Sequence, residues 1–184
     1  MTLFKNKYRI ESSRLKDWDY SKDGAYFVTI CTHDMKNYFG KVIEDKVILT
    51  NIGKIVNNEW LRTKEIRENI LLDEYIVMPN HFHGILMILN DDKIIVETSR
   101  RVVLKQNKTS HRDVSTLKSG SLGAVIGQFK SVCTKHIRNL GFQNFKWQSR
   151  FHDHIIRDEK ELFNIRQYIL NNPIKWTFDK YYRE

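Results

Sequence analysis

The sequence predicts a mixed α/β chain, and three observations carry that expectation. Residues 25–31, Ala-Tyr-Phe-Val-Thr-Ile-Cys, are β-branched, aromatic or small on both alternating faces, as a strand in the interior of a sheet requires. Residues 71–78 and 81–89 are two further apolar runs, and Pro79-Asn80 between them turns the chain back as a hairpin. Three longer stretches repeat their apolar residues at helical spacing.

In chain order, residues 1–23 are polar and basic and end in the turn signal Asp23-Gly24. Strand 25–31 follows, then two short strands, 38–43 and 46–49, around a turn at Glu44-Asp45. Thr50 is the expected cap of a helix over 51–66, where Ile52, Ile55, Val56, Trp60 and Leu61 make the apolar stripe. The hairpin 71–89 comes next.

From 93 to 119 periodicity disappears. Residues 100–118 hold six Lys or Arg against one acid, Asp113, among Ser, Thr and Asn, which reads as a basic loop or insertion. Ser121 opens a second helix, to Asn139, with Leu122, Val125, Ile126, Phe129, Val132, Cys133 and Ile137 on one side and Lys130, Lys135 and Arg138 elsewhere; Gly141 stops it. Residues 145–156 alternate like one long strand. Phe145, Trp147, Phe151 and Ile155 face one way, while Lys146, Gln148, Arg150, His152 and His154 face the other, where they could meet a phosphate backbone. A last helix runs from Asp158, whose acids suit its N-terminus, toward Pro173, with Leu162, Ile165 and Ile169 buried.

The length, 184 residues, suits a single domain over 1–184 that can bury a proper core. The net charge of +9 favours a polyanionic partner, nucleic acid before an anionic membrane. The two cysteines, Cys31 and Cys133, lie in apolar settings with no Cys-x-x-Cys pattern, so reduced buried thiols are expected. There is no apolar leader and no run of membrane-spanning length. The expectation is a cytoplasmic protein without a membrane partner.

Chemistry concentrates at His81-Phe82-His83. Strand residues rise roughly 3.3 Å each and alternate faces, so the two imidazoles share a face roughly 6.6 Å apart at their bases, a spacing from which both can reach one divalent cation. Phe82, Leu86 and Ile88 take the opposite face, leaving the histidine face free. Tyr168, at the edge of the last helix's buried stripe, offers a phenol that can attack a phosphodiester and keep the phosphate as an ester. Its usual pKa near 10 leaves only about one phenol in a thousand ionised at neutral pH. A divalent metal would ease the attack by polarising the phosphate, and Asn172, four residues on from Tyr168, could give a third ligand oxygen. Helix pattern alone favours an ordinary, partly buried aromatic at Tyr168.

Four segments together resemble the single-tyrosine HUH transposases, in the IS200-like group called REP-associated tyrosine transposases. They are Tyr-Phe-Val-Thr-Ile-Cys-Thr at 26–32, Met-Pro-Asn-His-Phe-His-Gly at 78–84, Trp-Gln-Ser-Arg-Phe-His-Asp-His-Ile-Ile-Arg-Asp at 147–158, and Tyr-Ile-Leu-Asn-Asn-Pro at 168–173, in the family's order. The resemblance spans about 17–176. It implies an α+β HUH endonuclease domain, ferredoxin-like or RRM-like, with helices packed on an antiparallel sheet. It further implies Mg²⁺ or Mn²⁺ as metal and single-stranded DNA with a nearby hairpin as substrate. Carried over by position, His81, His83 and Asn172 become metal ligands and Tyr168 the nucleophile that forms a 5′-phosphotyrosine.

DNA contacts are expected from Lys130, Lys146, Gln148, Arg150 and His154. His152-x-His154 is a rival metal pair, ranked lower because the resemblance gives it no ligand role. A homodimer and a monomer both fit the sequence. A hairpin-binding regulator that does not cut, and a metal hydrolase that uses activated water, are the competing readings. The hydrolase is disfavoured because no further carboxylate or histidine sits at an evident ligand spacing.

Overall fold

The computed structural model describes residues 15, 18–90 and 120–183. The expected basic insertion at 93–119 and most of the polar start of the chain lie outside the described residues. In chain order come β1 (Gly24–Cys31), β2 (Gly40–Ile43), β3 (Lys46–Leu49), α1 (Asn51–Ile66), β4 (Ile70–Val77), β5 (His81–Ile88), α2 (Leu122–Asn139), β6 (His152–Ile156) and α3 (Glu159–Leu170).

β4-β5-β1-β6 is the order of the main four-stranded sheet, and each neighbouring pair is antiparallel. Between β1 and β4 runs α1, and between β5 and β6 runs α2, so the sheet has the split β-α-β connectivity of a ferredoxin-like fold. β2 and β3 form a separate hairpin whose turn residues Glu44 and Asp45 both have positive φ, 48° and 58°, as a tight twisted hairpin turn demands.

Alternation along β1 and β5 divides the core in two. Tyr26, Val28, Ile30, Phe82, Leu86 and Ile88 face α1 and α2, where they meet Val56, Trp60, Ile126 and Phe129. Ala25, Ile85, Met87 and Ile156 line the other face and pack on Leu162 and Ile169 of α3. The two-sided apolar character of residues 25–31 is thus explained by β1 lying between β5 and β6 with helices on both faces. Gly84 allows the first layer to close, since a Cβ there would stand 2.7 Å from the Phe82 ring and 2.8 Å from Trp60.

The helix starts agree with the sequence. Thr50 Oγ1 accepts the Gly53 N–H at 3.1 Å and donates to Tyr38 O at 2.7 Å, Ser121 Oγ accepts the Ala124 N–H, and Asp158 Oδ1 accepts the Glu161 N–H. Cys31 and Cys133 are buried free thiols.

Residues 145–156 depart from expectation. Only His152–Ile156 is strand, because the pairing with β1 breaks: Thr29 lies opposite His152, yet Thr32 lies opposite Trp147, a slip of two residues. The rings of Phe145 and Trp147 draw this stretch away from regular pairing and pack against Phe39.

α3 is fixed to the sheet by charge as well as by its apolar stripe. β4 bulges between Leu72 and Tyr75, which lets Asp73 turn toward α3 while Tyr75 packs on Phe82. The Arg166 guanidinium grips both Asp73 oxygens, with Nε to Oδ1 at 2.8 Å and Nη2 to Oδ2. Burial alone would raise the Asp73 carboxyl, but the Arg166 hydrogen bonds and the Glu74 N–H outweigh it and hold the group below the usual carboxylate range.

Gly53 marks the closest approach of α1 to the strands, since a Cβ would fall 2.0 Å from Phe39 O. Gly53→Ala should therefore destabilise the protein by about 1–3 kcal/mol of overpacking, reversing the gain of about 1 kcal/mol that alanine normally brings to a helix. Chemical denaturation of the variant beside wild type would measure the sign.

Candidate active site

The Pro79-Asn80 turn delivers two histidines onto the α3 side of β5. A network of fixed polarity holds their rings. Asn80 Nδ2 donates to Met35 O at 3.0 Å and to Tyr181 O at 2.8 Å, which leaves Asn80 Oδ1 facing His81 Nδ1 at 2.9 Å. A carboxamide oxygen only accepts, so His81 carries its proton on Nδ1 and turns the Nε2 lone pair inward. Asp34 and Met35, both at φ 55° in the left-handed region, bend the chain that brings the Met35 carbonyl to Asn80.

His83 is held from both sides. Its Nδ1 lies 2.9 Å from Thr29 Oγ1 on the neighbouring strand, and its Nε2 lies 3.3 Å from the Tyr168 hydroxyl. The two imidazole centroids are 4.5 Å apart. Burial pushes His81 down to about 4, with Asp179 and Asn172 partly opposing that shift, and burial with the nearby His81 and Lys180 holds His83 well below its usual value. Both rings are neutral at pH 7 and offer lone pairs.

The expected open histidine face is corrected here, as His81 and His83 are only 0% and 1% exposed. The chain beyond α3 folds back over them, bringing Tyr181 to 4.7 Å and Trp176 to 5.8 Å from His81, ring to ring.

The structure gathers the four residues singled out in the sequence. Tyr168, 42% exposed, stands edge-on to Phe27 and to His83, at the border between the buried rings and solvent. Burial, reinforced by Asp179 and Tyr181, raises its hydroxyl to about 12. Asn172 is 2% exposed and influences both His81 and Tyr168. Its Nδ2 donates to Asp179 Oδ2 at 3.0 Å, so the amide oxygen is turned the other way.

His81 Nε2 and Asn172 Oδ1 are both buried without a hydrogen-bond partner. Two inward acceptors left unpaired are costly unless a positive group satisfies them. The donor set, two neutral imidazoles and an amide oxygen, fits a divalent cation.

Sequence reasoning missed Asp179. Its carboxylate, with His81 and His83, offers ligand atoms that all lie within 4.8 Å of one another. It sits beyond the last helix, at no repeating offset from either motif, and only the fold-back of that segment brings it in.

The rival pair is placed differently. Thr29 stands between His83 and His152 across the sheet, so His152 and His154 share the histidine face but lie one strand beyond β1, and both are exposed. His154 Nε2 pairs with Glu161 at 2.5 Å. Among the described residues, the pair joins no three-residue metal-ligand group.

Of the expected DNA contacts, Lys146 and Arg150 are exposed. Lys130 Nζ donates to Gln148 O at 2.6 Å, and Gln148 Nε2 donates to Met35 Sδ, so these two side chains brace the irregular stretch before β6. Among the described residues no helix is long and apolar enough to cross a membrane.

Comparison with known proteins fits this arrangement. No family model matches the chain. An uncharacterized protein of Haemophilus influenzae is 33% identical over 171 residues, spanning 93% of this chain and 92% of that protein. A second protein of the same organism, named "Putative REP-associated tyrosine transposase", is 27% identical over 178 residues, 90% of this chain and 84% of its own. The solved structure of a REP-associated tyrosine transposase bound to a REP hairpin covers 93% of this chain and 77% of its own with a TM-score of 0.58; at 19% identity that likeness speaks for the fold. With a buried His-x-His pair, a tyrosine against it and relatives matched along nearly its whole length, the chain is homologous to a "Putative REP-associated tyrosine transposase" and shares the fold of a solved one.

Proposed function

We propose that this chain is a single-domain, metal-dependent enzyme that nicks single-stranded DNA beside a hairpin and transfers the strand through a 5′-phosphotyrosine on Tyr168. The observation that carries the reading is the Tyr168 hydroxyl 3.3 Å from Nε2 of His83, on a ring whose other side is open to solvent. A nucleophile so placed can meet a phosphate that is held against the buried rings.

His81, His83 and Asn172 would hold the cation through the nitrogens and the amide oxygen that already face inward. Bound Mg²⁺ or Mn²⁺ supplies positive charge to the phosphate oxygens and to the phenolate. The Tyr168 oxygen bonds to phosphorus and gives its proton to water on the open side, while the bond from phosphorus to the 3′ oxygen breaks and that oxygen takes a proton from water to leave as a hydroxyl. Attack by another 3′ hydroxyl on the phosphotyrosine restores a phosphodiester and the free phenol, so the bond energy is kept and no nucleotide is consumed.

Substrate class follows from charge and kinship. The net charge of +9 and the exposed Lys146 and Arg150 suit a phosphate backbone. The related transposase solved with a REP hairpin makes such hairpins the first substrates to try. A DNA substrate favours the cytoplasm. Tyr168 reaches His83 of its own chain, so one copy is sufficient for chemistry, and a homodimer would pair two such sites.

With hairpin-bearing single-stranded oligonucleotides and Mn²⁺, wild type should form a covalent protein–DNA adduct on denaturing gels. Tyr168→Phe should abolish that adduct, at least a thousandfold loss on the scale expected for a missing nucleophile, while binding the hairpin within a few-fold of wild type. An adduct persisting in Tyr168→Phe, or none in wild type over a varied hairpin set, would overturn the reading and favour a regulator that binds without cutting.

Mn²⁺ titration separates the two histidine pairs. Affinity should vanish in His81→Ala/His83→Ala and persist in His152→Ala/His154→Ala; the reverse would move the site to β6.

Stability should also depend on pH. Unfolded histidines take up protons near pH 6.5, whereas folded His81 does so only near 4 and folded His83 lower than usual. Below 6.5 the unfolded chain binds more protons, so metal-free melting temperature should fall as pH drops from 6.5 toward 4, and these two groups should contribute no slope above 7. Replacing both with Gln should flatten that fall.

A further inference from the structure

The carboxylate of Asp179 keeps acceptor capacity beyond the two hydrogen bonds that anchor its segment. It lies in the segment after α3, past a single 3-10 turn at Trp176–Phe178. Asp179 Oδ1 accepts the Tyr181 N–H at 2.7 Å, a local turn, and Oδ2 accepts Asn172 Nδ2 at 3.0 Å. Each carboxylate oxygen has two acceptor sites, so both retain one. Among the described residues no Lys, Arg or His forms an ion pair with it. This anion faces two neutral imidazoles and an amide oxygen that is also without a partner.

We propose that Asp179 is the anionic ligand of the cation site and, through Oδ2, the group that sets the Asn172 carboxamide with its oxygen toward the ion. The inference rests on the cation reading above and deepens it. Without Asp179 the ligands would carry no negative charge, and an entering dication would meet only the nearby Lys180 ammonium. With it, one negative charge is added, along with a hard oxygen donor of the kind Mg²⁺ and Mn²⁺ favour over imidazole alone. The same segment is tied to the histidine turn, because Asn80 Nδ2 donates to Tyr181 O at 2.8 Å. Asp179 is therefore held at the site by the residue that also orients His81.

The test is Mn²⁺ binding to the full-length, DNA-free protein by calorimetry, with thermal melts to verify folding. Asp179→Asn keeps an oxygen to accept from Asn172 but removes the charge; its Kd should rise about tenfold or more, as loss of groups around a metal commonly causes. Asp179→Ala, which also frees the Asn172 amide to turn, should be weaker still, and Asp179→Glu should stay within a few-fold of wild type. If the asparagine variant instead bound Mn²⁺ within twofold of wild type while His81→Ala/His83→Ala abolished binding, Asp179 would be no ligand and the histidine reading would stand. If wild type bound no Mn²⁺ in a manner dependent on His81 and His83, the cation reading itself would fall and this inference with it. As a second readout, the Mn²⁺ concentration giving half-maximal adduct formation should rise in Asp179→Asn.

Discussion

Two neutral imidazoles, sealed from water and each held from its Nδ1 side, are the constraint the rest of the molecule answers to. Burying an acceptor without a partner, as His81 Nε2 is buried, costs roughly 1–3 kcal/mol. The surrounding structure spends several hydrogen bonds on enforcing that orientation rather than relieving it. Asn80 and Thr29 occupy the Nδ1 side of each ring, which would otherwise be able to flip and satisfy itself elsewhere. An arrangement that keeps buried acceptors unpaired by design is better suited to capture than to packing.

The helix that presents Tyr168 is mounted for the same end. Leu162 and Ile169 seat it on the sheet, and Arg166 is locked to Asp73 on β4. Tyr168 falls between these anchors, so its backbone is fixed while its ring keeps one side in solvent. Asn172 follows where the helix has ended, and Pro173, lacking an N–H, cannot prolong it. The sequence Tyr-Ile-Leu-Asn-Asn-Pro thus combines a surface group, a core anchor and a buried amide within two turns.

Much of this was legible before coordinates. Thr50, Ser121 and Asp158 announce helices because a capping oxygen does its work within three residues, and such local chemistry is written locally. The interior position of β1 follows from apolar residues on both faces. What failed depends on distant segments. Residues 145–151 alternate as a strand should, yet the aromatic cluster around Phe39 breaks their pairing, and nothing nearby in sequence marks that competition. The covering of His81, and the arrival of Asp179 beside it, both result from the terminal segment folding back onto the Pro79-Asn80 turn. Its anchors, Asn80 to Tyr181 and Asn172 to Asp179, are single hydrogen bonds that no periodicity encodes.

Gly84 carries a last consequence. Because it has no side chain, Trp60 and Phe82 close flush against β5 directly behind His83. That aromatic wall, contributed in part by a helix that touches no ligand, backs the strand that carries both imidazoles. Discrimination between ions of different radius in such a pocket is a matter of how much the frame yields. Selectivity for a small cation would then be governed from the far side of the sheet, by hydrocarbon density and not by the ligands alone.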